Sequence, residues 1–258
     1  MSKKRRFRHK RAFYFLPPPV PAHARFVERR RNDVCVQGEF IYDERRAQVA
    51  WSRAGNVLSE RYFDSSGRAH GMEVSRFENG SVQWQVPWVR GQLHGLARQF
   101  SPYGEELSRS RFVRGVGLDV WIDQGTVSEI RELRESMPHG IERWGHPLYP
   151  YEEGHYLRGK RSGVFRRWVQ GRLERGYPKY FLDDVEVNRA QYMRACARNS
   201  ELPNDLRKDD LRERRLHWGF KLVWLRAEVR ATLSRRAAPS FRMCGETSGE
   251  EARQKAPS

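Results

Sequence analysis

The chain has 258 residues, of which 31% are charged and 38% hydrophobic, with a formal charge of +17. No run of about eighteen apolar residues occurs, which leaves no spanning helix, and 8 Trp, 10 Tyr and 13 Phe argue against a wholly disordered chain. The charge sits mostly at the ends, with 13 basic and 5 acidic groups in residues 1–50 and 13 and 8 in residues 203–258, the opposite of a nucleic-acid groove cut through the middle.

Residues 1–31 read as a disordered basic tail, with 11 basic groups against the single acid Glu28 and with Phe7, Phe13, Tyr14 and Phe15 interleaved. Its leading run, Lys3, Lys4, Arg5, Arg6, Arg8, Lys10 and Arg11, is the candidate contact for nucleic-acid phosphates or an anionic membrane surface. A secretory leader is not expected. Only Ala12–Leu16 separates those charges from Pro17-Pro18-Pro19, and a leader needs about 7–15 apolar residues. Pro17–Pro21 reads as a stiff polyproline spacer. Phe40, Tyr42 and Ala47–Trp51 suit the first strands of a folded domain spanning residues 32–187.

Within that domain a period emerges. Gly71, Gly95, Gly117, Gly140 and Gly163 follow one another at 24, 22, 23 and 23 residues, and His70, His94 and His139 precede three of them. A second turn signal lies between the markers, at Asn79-Gly80, Tyr103-Gly104, Gln124-Gly125 and Gln170-Gly171. An aromatic falls four to six residues after each marker: Phe77, Phe100, Trp121, Trp144 and Trp168. Glycine supplies the positive φ of tight turns at no steric cost. The stretches between are strand-like, as in Val82–Trp88, where Val82, Trp84, Val86 and Trp88 share one face. The expected fold is mainly β, an antiparallel meander or solenoid of about five hairpin repeats of 22–24 residues.

The units Gly67-Arg-Ala-His70-Gly71 and Gly91-Gln-Leu-His94-Gly95, the in-phase aromatic and the Asn-Gly turn resemble MORN-type repeats (membrane occupation and recognition nexus), in their bacterial variant form. The resemblance covers roughly residues 48–185. The third marker departs from it, with Val116 in place of His, and the fourth repeat carries an insertion at Gly145–Glu153. The resemblance implies a scaffold; bacterial members are often labelled antitoxins, and the eukaryotic relatives serve as scaffolds or lipid-associated modules.

Beyond the repeats, Tyr180–Val187 reads as a final hairpin around Asp183-Asp184. Asn188 and Gln191 form a capping pattern for a helix running to about Arg198, closed by Pro203. A second helix is expected from about Asp205 to Arg236, with Trp218, Leu222, Leu225, Val229 and Leu233 as its apolar stripe. Residues 188–236 thus form a helical cap and residues 237–258 a disordered tail.

The candidate chemistry is thin. Equivalent residues of successive two-strand repeats lie about 9–10 Å apart, too far for His70, His94 and His139 to share a metal ion. They read instead as turn residues satisfying backbone groups. Asp183-Asp184 and Asp209-Asp210 are sequence neighbours whose side chains diverge, and no phosphate loop, nucleophile elbow or HExxH string occurs. Cys35, Cys196 and Cys244 are widely spaced and read as isolated reduced thiols of a cytoplasmic protein. The expectation is a protein without enzymatic activity, cofactor or metal: a repeat scaffold for a protein partner. Binding of nucleic acid or an anionic surface through the basic tails is the alternative.

Overall fold

A computed structural model describes residues 5–10, 12–17, 19–31, 35–123, 126–145 and 150–210. Strands β1 (Arg6–His9) and β2 (Ala12–Phe15) form a two-stranded ribbon. Then follow β3 (Arg25–Arg31), β4 (Cys35–Tyr42), β5 (Arg45–Ser52), β6 (Val57–Phe63), β7 (Gly71–Arg76), β8 (Val82–Val89), β9 (Gln92–Leu93) and β10 (Gly95–Phe100). The series continues with β11 (Glu106–Val113), β12 (Val116–Asp123), β13 (Thr126–Arg134), β14 (Met137–Trp144) and β15 (Tyr151–Leu157). It ends with β16 (Lys160–Arg161), β17 (Gly163–Val169), β18 (Arg172–Leu173), β19 (Lys179–Leu182), β20 (Val185–Val187) and the helix α1 (Arg189–Cys196). From β3 onward the strands belong to one antiparallel sheet in which each long strand pairs with the next. The two-residue strands β9, β16 and β18 only extend the turns.

The marker glycines are strand residues of β7, β10, β12, β14 and β17 and not the turn residues the spacing suggested, and they have a common place in the register. Gly71 pairs with Trp88, Gly95 with Phe112, Gly117 with both Phe112 and Leu133, Gly140 with Tyr156, and Gly163 with Phe181. Each marker therefore faces a bulky side chain across the strand. At Gly117 the reason is close approach, because a Cβ there would meet the Phe112 ring and the Arg111 carbonyl, both at 2.5 Å. Gly95 differs, with φ of +123°, which side chains rarely tolerate.

The sheet curls so that one face lies inside. The Trp84 and Trp121 rings meet edge-on at 6.4 Å, although β8 and β12 are three strand spacings apart, about 14 Å on a flat sheet. The backbone N–H of Leu93 donates to Ser136 Oγ at 2.8 Å across the same bend. Leu93, Ala97, Phe112 and Leu133, with Val86 and Trp88 against them, fill the inside of the curl.

Both ends of the sheet are covered on the outer face, and here the first correction arises. Residues 5–10, 12–17 and 19–31 are not a disordered tail, and the folded part starts well before residue 32. Phe7 and Tyr14 turn inward from the ribbon onto Phe26, Phe40 and Trp51, with ring centroids 4.9–5.6 Å apart. The Trp51 indole N–H donates to the Phe15 carbonyl at 2.7 Å, and the Phe15 N–H donates to the Gly55 carbonyl at 2.9 Å. The proline stretch is no spacer either: Pro17 and Val20 are fully buried, and the Val20 N–H donates to the Pro17 carbonyl at 3.1 Å. The physical reason is alternation. Arg6, Arg8 and Phe13 are exposed while Phe7 and Tyr14 point in, so the high charge belongs to one face of a ribbon whose other face is apolar.

At the far end α1 closes the sheet by packing Tyr192 on Val164, Tyr180 and Leu202. Its capping box is reciprocal: Gln191 N–H donates to Asn188 Oδ1 at 2.9 Å, and Asn188 N–H donates to Gln191 Oε1 at 3.0 Å. The second expected helix is represented by a 3-10 turn at Arg207–Asp210; residues 211–236, with the Trp218–Leu233 stripe, and the tail 237–258 lie outside the described residues. So do Lys3, Lys4 and Arg11. Cys35 is buried, 1% exposed, and Cys244 lies outside the described residues. Cys196 is a free, half-buried thiol. Among the described residues no helix is long and apolar enough to cross a membrane.

Candidate functional site

Alternate turns of the sheet stack along one edge. The Gly91 N–H donates to the Ala69 carbonyl, Gly115 to Leu93, Ser136 to Gly115, Gly159 to Pro138 and Asp184 to Arg161, all at 2.7–2.9 Å. The marker histidines tie successive turns together. His70 Nδ1 accepts the Arg90 N–H at 3.3 Å, His94 Nδ1 the Arg114 N–H at 3.2 Å, and His139 Nδ1 the Arg158 N–H at 3.4 Å. Where the fifth marker has Ser162, its Oγ accepts the Asp183 N–H at 3.1 Å. Arg90, Arg114, Glu135, Arg158 and Asp183 all have φ near +50°, so a turn of the same hand recurs even where Val116 replaces the histidine. Each histidine bonds the turn next to its own, a different one in each case, and the three rings do not converge. At His139, burial with the neighbouring Arg134 and Arg158 pulls the pKa below its ordinary value, which favours the neutral ring that an accepting Nδ1 needs.

This edge exposes two kinds of side chain that the spacing argument missed. Arg90, Arg114, Arg134 and Arg158 are exposed. Beside them Met72, Val89, Val113, Val116 and Met137 are 38–53% exposed. The register puts the apolar group on the outer face: Met72 pairs with Pro87, two residues from Val89; Val113 pairs with Val116, and Arg134 with Met137. The result is an apolar strip flanked by guanidinium groups along the stacked turns. The sequence held a signal for it in the repeated Arg-Gly pairs at 90–91, 114–115 and 158–159.

Beside that apolar cluster the inner face carries polar side chains, and they converge in a way the sequence did not announce. Arg131 binds Glu129 and donates from Nε to Glu142 Oε1 at 2.7 Å. Burial pushes the Glu129 carboxyl up to about 7 against the pull of Arg131, with Glu142 and Asp119 adding like charge. These carboxylates face Arg131 and not a substrate-sized void. The adjoining cavity, bordered by Asp119, Ser110, Trp84 and Trp121, measures about 50 Å³, room for a water molecule or two. A larger hollow of about 370 Å³ lies over the first strands, lined by Arg29, Glu39, Gln48, Arg61, Glu73 and Trp84. Its carboxylates are paired in place: Arg29 and Gln48 donate to Glu39, and Trp88 donates to Glu73 at 2.7 Å.

Glu129 makes the pH dependence testable. Its pKa is about 7 folded against 4.5 as the reference value, so the folded state binds the extra proton and this group's contribution to stability rises as pH falls from about 7 towards 4.5. Glu129→Gln is expected to stabilise the protein at pH 8 by on the order of 1–3 kcal/mol and by much less at pH 5. Urea unfolding at the two pH values checks it; equal effects at both would show that Glu129 is not held in this environment.

No protein-family model and no curated protein matches the chain.

Proposed function

We propose that this protein is a non-enzymatic repeat scaffold that binds a protein partner along its stacked turns. In this reading about five MORN-type hairpin repeats of 22–24 residues build a solenoid-like platform, and the bacterial variant of that repeat points to an antitoxin or immunity-like role. The observation that carries the reading is the strip of Met72, Val89, Val113, Val116 and Met137 on the outer face. Clustered exposed apolar side chains rimmed by polar groups mark interaction sites more often than scattered ones do. Arg90, Arg114 and Arg134 beside the strip select a partner with an acidic rim.

The test is co-purification from the protein's own cells after nuclease treatment, comparing wild type with Val89→Glu/Val116→Glu. Both valines are exposed and sit on strands that do not pair with each other, so the melting temperature is expected to change little. The wild type retains a protein partner, and the variant binds that partner at least tenfold more weakly. A partner lost on nuclease treatment, or one held equally by the variant, refutes the assignment.

A further inference from the structure

We propose that the outward face of the amino-terminal ribbon is a binding site for single-stranded nucleic acid, independent of the turn-stack surface. The ribbon presents two cross-strand pairs, Arg6 opposite Phe15 and Arg8 opposite Phe13. In each pair a guanidinium lies over a ring, at 4.4 Å from the Phe15 centroid and 5.7 Å from the Phe13 centroid. Phe13 is 59% exposed. Within a strand the two pairs are about 6.8 Å apart, two residues of extended chain.

The ribbon is held, not dangling. At its tip His9 Nε2 and Lys10 Nζ meet Glu28 of β3 at 2.6 and 3.0 Å. Beneath it Arg5 donates to the Val20 carbonyl at 2.8 Å. The exposed Arg31 of β3, paired with Val36 on the face the ribbon covers, adds to the positive field, and Glu28, the only acid in residues 1–31, is already bound to His9 and Lys10. A row of basic groups interleaved with flat rings is the chemistry of strand-tracking sites: phosphates meet the cations, and unpaired bases stack on aromatic or guanidinium planes. A duplex keeps its base faces stacked internally and cannot use the rings. An anionic bilayer would meet the same cations but offers no unpaired base to stack on the exposed Phe13 ring.

The experiment is fluorescence anisotropy of the full chain with a labelled twenty-nucleotide oligo(dT), the matching duplex, and vesicles containing phosphatidylserine. Measurements at several salt concentrations compare wild type, Phe13→Ala and Arg6→Gln/Arg8→Gln. The oligonucleotide is expected to bind more tightly than the duplex. Phe13→Ala is expected to weaken it about tenfold, and the double arginine variant to reduce the slope of log K against log salt by about 1.4. Each altered side chain faces solvent, so unchanged melting temperatures will exclude misfolding. Equal affinity for duplex and single strand, indifference to Phe13→Ala, or binding to vesicles in preference to the oligonucleotide would each overturn the proposal.

Discussion

Deletion of residues 1–31 is expected to lower the melting temperature by about 10 °C or more, although it removes a net charge of +10. Relief of repulsion alone would give a small shift in the opposite direction, since exposed charges are well screened at ordinary ionic strength. The loss comes from packing. The ribbon covers Phe40 and Trp51, themselves 2% and 0% exposed, and it supplies Phe7 and Tyr14 to the same cluster. Tyr14→Ala alone is expected to cost about 3–5 kcal/mol, the range for truncating a large buried aromatic. Phe13→Ala, one residue away but facing solvent, should stay within about 0.5 kcal/mol. Thermal melts of the three proteins decide the matter. Indistinguishable melting temperatures for the deletion and the intact chain would mean that the ribbon does not pack on the sheet.

Asp205→Ala is expected to cost about 3–5 kcal/mol through a different mechanism. Asp205 is buried beyond α1 and accepts from Arg189 Nε at 2.6 Å, Tyr180 Oη at 3.0 Å and Arg166 Nη2 at 3.3 Å. Arg166, with only 5% of its side chain exposed, also meets Asp210 at 2.6 Å. Removing Asp205 leaves that guanidinium with less compensating charge in a place where water cannot replace it. The same side chain joins β17 and β19 to the segment following α1, so the variant should also loosen the end of the sheet. Hydrogen exchange in Tyr180–Leu182 is the local readout and urea unfolding the global one. Arg161→Ala, in a half-exposed pair with Asp184, is the contrast and should change stability by less than about 1 kcal/mol. Equal effects of the two substitutions would show that burial does not control the Asp205 contacts.

The strands and the turns at Gly80, Gly104 and Gly171 were legible because a hairpin turn needs glycine locally and a strand needs local alternation, whereas the marker glycines turned out to be strand residues. Gly117 falls opposite Phe112 and Leu133, a bulky neighbour like those of the other markers. The α1 cap was legible for the same reason, since Asn188 and Gln191 act within one helical turn. The ribbon was not, because eleven basic groups hid a short alternation that has meaning only against a partner surface. The Arg131 cluster escaped notice because Glu129 and Glu142 belong to different strands, and nothing in their spacing of thirteen residues says that β13 and β14 bring them to one guanidinium.

What the sequence by itself determined is therefore the local part: where the chain turns, which residues alternate, where the helix begins, and that the two ends carry most of the charge. Tertiary structure alone decided the rest. The curl of the sheet sets which face is inside, and that choice leaves Glu129 half-buried and Val113 and Val116 in solvent. It also folds the amino-terminal ribbon over Trp51, turning a stretch that composition marks as solvated into part of the core. The physical reason is that burial depends on surfaces far apart in sequence meeting one another, whereas turns and caps are settled within a few residues.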